Sequence, residues 1–151
     1  MTNITLKQNM PSRFGLTHIW GRLVNAVTRP RLHERNVMLQ GRPVTVQWTD
    51  KADRMLRARD SELIVEMELY FSCMVKKYVH FHEELPENPV VRVSERLSVF
   101  YQPVTSKSCK IEEAIERQPT IDLAPDILNG YVPKYLYIDY RDGQWYGEFA
   151  M

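Results

Sequence analysis

Residues 62–84, "ELIVEMELYFSCMVKKYVHFHEE", decide how the fold is read. As a strand, Leu63, Val65, Met67, Leu69, Phe71, Cys73, Val75, Val79 and Phe81 share one face, with Lys77 the lone exception. Glu62, Glu66, Glu68, Ser72, Lys76, His80 and His82 take the other face, together with Ile64, Tyr70, Met74 and Tyr78. As a helix, Val65, Leu69 and Cys73 would fall in or beside the polar side formed by Glu62, Glu66, Lys76, Lys77 and His80. The strand has fewer violations and suits a run rich in Tyr, Phe, Val and Ile. Twenty extended residues would reach ~65 Å at ~3.3 Å each, several times an ordinary strand. The expectation is therefore one long strand, bent or bulged near residues 72–74 or at Lys76 and Lys77.

Downstream, "EELPENP" reads as a turn, and "VVRVSERLSVFYQPV" alternates again. Paired antiparallel with 62–82, this second run would bring Arg92 and Arg96 to the glutamates of the first. Such cross-strand ion pairs contribute about 0.2–1 kcal/mol each. Upstream, "RPVTVQWT" alternates Val44, Val46 and Trp48 with Thr45 and Gln47, a half-buried strand. "TDKADRMLRARD" then places Ala52, Met55 and Leu56 at helical spacing behind Thr49 or Asp50 as a cap, a short helix or turn. "KIEEAIERQP" and "DLAPDILNG" read as two more short helices, the second with Asp122 as its cap. The chain closes on "KYLYIDYRDGQWYGEF", where Asp142-Gly143 between alternating aromatic runs is the strongest hairpin signal.

Within "GLTHIWGRLVNAVTRPRLHER", Leu16, Ile19, Trp20, Leu23, Val24 and Val27 form one apolar stripe at helical spacing. Thr17 suits its N-cap and Pro30 ends it. Together these elements predict an α+β fold: an antiparallel sheet of about five strands, one long and bent, with an N-terminal amphipathic helix and short helices packed on it. The 151 residues suit one domain, with a basic N-terminal helical segment over 1–43 and a sheet-containing body over 44–151.

Charge is unevenly spread. Residues 1–43 carry Lys7, Arg13, Arg22, Arg29, Arg31, Arg35 and Arg42 against Glu34 alone. The remainder holds 13 basic against 18 acidic residues, which hides the asymmetry inside a net charge of +1. Arg22, Arg29, Arg31 and Arg35 are thus candidates for gripping phosphates or carboxylates. "RLHER" gives an R-x-x-x-R spacing that is similar in outline to the opening of cyclic-dinucleotide-binding PilZ domains. The D-x-S-x-x-G-type motif of those domains is absent, so the family is not assigned.

Two cysteines do not make a disulfide scaffold, which predicts reduced thiols and a cytoplasmic chain. No apolar run nears the ~18 residues that span a bilayer. Glycine spacing matches no nucleotide-phosphate loop, and no G-x-S-x-G or other nucleophile motif occurs. His80-x-His82 would project two imidazoles from one strand face about 7 Å apart. With Glu84 of the same parity they are a metal-ligand candidate. In the last hairpin, Tyr135 and Tyr137 are expected to face outward beside Tyr146 or Trp145, able to stack on a ligand or pack in an interface.

These readings rank three functions. The first is a non-catalytic protein-interaction or binding module that needs no cofactor and acts through a protein partner or self-association as a homodimer. The second is a nucleic-acid or anionic-surface binder using the basic N-terminal segment. The third is a metal-dependent enzyme around His80 and His82.

Overall fold

The computed structural model describes residues 31–72, 74–106, 120–123 and 130–151. The expected N-terminal helix lies outside them, as do the expected helix over 110–119 and most of that over 122–130. Asp122, the anticipated cap, instead ends a strand.

Nine strands and one helix make up the described residues: β1 (Leu32–Leu39), β2 (Arg42–Thr49), α1 (Asp50–Arg57), β3 (Leu63–Phe71), β4 (Val75–His82), β5 (Val91–Ser94), β6 (Leu97–Ser106), β7 (Thr120–Asp122), β8 (Tyr135–Arg141) and β9 (Gln144–Ala150). They form two sheets. The first has the order β1-β2-β8-β9; the second has the order β4-β3-β6-β5, with β7 also pairing β6. β2 runs parallel to β8 and β3 parallel to β6, while the other pairs are antiparallel. The expected α+β fold around one antiparallel sheet is overturned: the described chain is mostly β, with two mixed sheets and one short helix.

Each sheet is two hairpins joined through a central parallel pair. In the first sheet both turns are two residues long with positive φ at both positions: Gln40 and Gly41 (49° and 75°), Asp142 and Gly143 (50° and 80°). That backbone matches the right-handed strand twist and admits glycine at no steric cost.

The expected long strand is two strands. β3 and β4 fold back on each other with Phe71 opposite Val75 and Ile64 opposite His82. Ser72 ties the turn, its hydroxyl donating to the Met74 carbonyl at 2.9 Å. The run 91–105 is likewise divided between β5 and β6, and its inner strand β6 pairs β3 in parallel, from Leu63–Leu97 to Phe71–Thr105. Arg92 still reaches Glu62, at 3.6 Å, but Arg96 donates instead to the Asp60 carbonyl at 2.7 Å.

The inward faces of the two sheets enclose one core, including Val44, Val46 and Trp48, Leu63, Val65, Met67 and Leu69, Leu97 and Val99, and Leu136 and Ile138. β9 runs beside β4 and β1 beside β5, so the sheets meet along both edges. Lys77 Nζ bridges the β4–β9 seam to the Phe149 carbonyl at 3.1 Å, and Phe81 stacks on Trp145 at 6.1 Å. α1 begins as expected at a Thr49 N-cap, whose hydroxyl accepts from the Ala52 N–H at 3.1 Å. It buries Ala52 and Leu56. No helix among the described residues is long and apolar enough to cross a membrane.

Candidate functional site

The outward face of the first sheet follows from strand alternation and register. Val46, Leu136 and Ile138 point into the core, which sends Thr45, Gln47, Tyr135, Tyr137 and Asp139 outward. Register then sets them in rows across the sheet. Asn36, Thr45, Tyr135 and Ala150 make one row, and Glu34, Gln47, Tyr137 and Glu148 make the next. Asp139 lies opposite Tyr146, and Arg141 opposite Gln144.

Hydrogen bonds stitch these rows together. Thr45 Oγ1 donates to Asn36 Oδ1 at 2.8 Å, Gln47 Nε2 to Glu34 Oε2 at 2.5 Å, and Tyr135 Oη to Gln47 Oε1 at 2.7 Å. Asp139 is the hub of the lower half. Its carboxylate accepts from Thr49 Oγ1 at 2.5 Å, from the Tyr140 N–H at 2.8 Å, and from Arg141 Nε at 2.5 Å. Burial alone would raise its pKa. The bonds from Thr49, Arg141 and Tyr140 outweigh burial and hold it below the ordinary carboxylate value.

Arg141 is fixed twice, by Asp139 and by lying over the Tyr146 ring at 4.6 Å. Tyr146 Oη donates to Glu148 Oε2 at 3.1 Å, and that carboxylate raises the phenol's pKa. Burial, then the neighbouring Tyr137, Glu148 and Glu34, raises that of Tyr135. The result is a polar surface with three tyrosines and one oriented guanidinium, bordered at Tyr135 and Glu148 by a cavity of about 380 Å³ that Lys77, Val79 and Phe149 also line.

A second constellation lies on the outer face of the other sheet. Each of two β3 glutamates reaches diagonally to a β4 histidine: Glu66 Oε2 to His82 Nε2 at 2.7 Å, Glu68 Oε2 to His80 Nε2 at 3.5 Å. Glu68 is buried, with 2% of its side chain exposed. The rings of His80 and His82 are 6.4 Å apart, and His82 lies 6.2 Å from Phe100. Beside them runs an open groove of about 300 Å³, whose walls include Asn88, Gln102 and Asp122. Asn88 Nδ2 donates to Gln102 Oε1, and Gln102 Nε2 to Asp122 Oδ1 at 2.6 Å. Four carboxylates and no lysine or arginine line this groove.

The residues singled out in the sequence separate in space. Tyr135 and Tyr137 share the outward face, with Tyr146 rather than Trp145 beside them; Trp145 packs inward on Tyr140 at 5.0 Å. Arg35 stands opposite the core residue Val46 but is exposed, and Arg31 is exposed just before β1 with its carbonyl accepting from the Asp50 N–H at 3.0 Å. Arg22 and Arg29 lie outside the described residues. His80 and His82 meet Glu66 and Glu68, whereas Glu84 is exposed beyond the end of β4. Among the described residues no group of three or more His, Cys, Asp or Glu side chains is arranged to hold a metal ion. Gln47, Asp139 and Arg141 were missed. Parity about the Asp142-Gly143 turn would have found the last two, but Gln47 needed the parallel β2–β8 register, which no local pattern announces.

No protein-family model matches the chain, and neither a curated protein nor a solved structure matches it at a significant level.

Proposed function

We propose that this chain is a non-catalytic protein-interaction module and that the outward face of its first sheet is the contact surface. The observation that carries the reading is a pair of hydrogen-bonded groups on one outward sheet face, Tyr135–Gln47–Glu34 and Tyr137–Asp139–Arg141, with the Arg141 guanidinium over the Tyr146 ring. Tyrosine and arginine dominate contact hot spots because each brings large area and a polar end. Side chains already held in place lose little further freedom on binding. It carries three carboxylates (Glu34, Asp139, Glu148) against one arginine, so a phosphate backbone is repelled from it. The complementary partner presents a carboxylate to Arg141 and a cation to Glu34 or Glu148.

The test is sedimentation velocity together with affinity capture, comparing the intact chain with a Tyr137→Ser/Arg141→Glu variant. A Glu66→Gln/His82→Gln variant of the groove is the control. Complexes, with itself or another protein, should be lost on the face variant and kept by the control. Retention of every complex by the face variant overturns the reading.

A further inference from the structure

The hairpin joining β3 to β4 ends in an apolar tip. Turn apices are ordinarily Gly, Asn, Asp, Ser or Pro, which meet backbone demands while staying hydrated. Here Met74 is 67% and Val75 56% exposed, and Tyr78 follows at 40%. Tyr131, 48% exposed, packs edge-on against Phe71 at 5.5 Å and widens the same end. The turn beneath is braced, since the Ser72 hydroxyl both donates to the Met74 carbonyl and accepts from the Met74 N–H at 3.3 Å. The Met74 and Val75 side chains stand in solvent and contribute nothing to the core.

Lys76 and Lys77 follow directly on the tip. Lys77 is committed to the protein: two residue pairs behind the tip, its ammonium donates to the Phe149 carbonyl at 3.1 Å and lies over the Phe149 ring at 5.8 Å. From 69 to 81 the sequence contains no Asp or Glu, although the body over 44–151 has 18 acidic residues against 13 basic ones. An acid-free apolar apex with lysines behind it and tyrosines at its sides has the layering of a membrane interface. Methionine and valine suit the acyl boundary, tyrosine the headgroup level, and lysine the anionic surface. An exposed apolar apex also suits a fluid bilayer, which closes around it, whereas a protein partner would need a matching socket.

We infer that the β3–β4 hairpin tip is a docking wedge for an anionic lipid surface, with Met74 and Val75 inserting and Lys76 contacting the headgroups. This is independent of the contact face on the first sheet.

The experiment is co-sedimentation of the full chain with vesicles of phosphatidylcholine alone, or with about 30% phosphatidylserine to supply the surface charge. The intact chain should sediment with the anionic vesicles and not with the neutral ones. Lys76→Gln should weaken partitioning about fivefold, the worth of one lysine near such a surface. Met74→Ser/Val75→Ser should weaken it at least about tenfold as well. Urea midpoints unchanged in both variants show that the fold is intact. No sedimentation of the intact chain overturns the proposal, as does equal binding to both vesicles. Full retention by Met74→Ser/Val75→Ser also overturns it, because the basic segment over 1–43 would then carry the binding. Self-association without vesicles that the same variant abolishes makes the tip a protein contact, and overturns it too.

Discussion

Gly147 on β9 lies so close to Val79 on β4 that a Cβ at position 147 would sit 2.7 Å from Val79 Cγ1 and 3.1 Å from Phe81 Cζ. Absence of a side chain at this one position lets the two sheets close along the seam that Lys77 and Phe149 also bridge. Gly147→Ala should destabilise the chain by about 1–3 kcal/mol through overpacking. Val79→Ala, placed in the same chain, should recover part of that loss by making room. Urea unfolding of the two single variants and the double checks both; strict additivity would contradict the contact.

Tyr101 is buried edge-on against Phe149 at 6.5 Å, and its hydroxyl has no hydrogen-bond partner among the described residues. Leaving a hydroxyl desolvated without a partner costs about 1–3 kcal/mol. Tyr101→Phe should therefore stabilise the fold by about 1 kcal/mol or more. Burial also pushes this phenol's pKa above its ordinary value of 10.0. Folded chains keep the proton that unfolded chains release, so stability should fall as pH rises above about 10, by at most ~1.4 kcal/mol per pH unit from this group. The Phe variant should show a shallower alkaline loss in denaturation midpoints measured from pH 8 to 11.

Thr49 has two duties, capping α1 at Ala52 N and donating to Asp139 Oδ1. Thr49→Val, which keeps the shape and removes the hydroxyl, should cost about 2–3 kcal/mol by combining a lost cap with a lost bond to a carboxylate. Asp139 titrates below its ordinary value of 3.8 when folded. Its contribution is present above that value and is lost as pH falls through the lower folded pKa. Asp139→Asn should flatten the acid limb of a stability-against-pH curve. An unchanged limb would mean that other carboxylates set it.

Glu66 and His82 hydrogen-bond diagonally across β3 and β4 with 40% of the histidine side chain exposed. Partial solvation limits such a pair to about 0.5–1 kcal/mol of coupling. A double-mutant cycle of Glu66→Gln and His82→Gln in urea should return that value near neutral pH. A coupling of zero would reduce the pair to a surface contact.

Much of the local structure was legible. The inward positions of β2, β3, β6 and β8 follow from alternation, the α1 cap from Thr49, and the last hairpin from Asp142-Gly143. β1 went unread because Arg35 takes a core-facing position between His33 and Val37, which breaks the alternation. Gln40-Gly41 is also a weaker turn signal than Asp142-Gly143, since Gln adopts positive φ less readily than Asp. Of the candidate sites, Tyr135 and Tyr137 were visible from parity. Gln47, the partner of Tyr135, and Thr49, the partner of Asp139, lie about ninety residues upstream in the sequence, at separations of 88 and 90.

The sequence by itself determined the apolar faces of β2, β3, β6 and β8, because alternation with period two reports side-chain direction directly. It did not determine where β3 gives way to β4 or β5 to β6. β3 pairs β4 so that partners, such as 64 with 82 and 71 with 75, share parity, and the hairpin therefore shows the same odd and even faces as one continuous strand would. β5 and β6 share parity away from their turn, with Val91 opposite Val99, but a register shift between Arg92 and Ser94 sets Ser94 opposite Leu97. Nor does alternation carry any sign of strand direction, so the parallel pairings of β2 with β8 and β3 with β6 came only from packing. Tertiary structure decided those two relationships because they depend on which distant strand buries the remaining edge, a contact that no local pattern encodes.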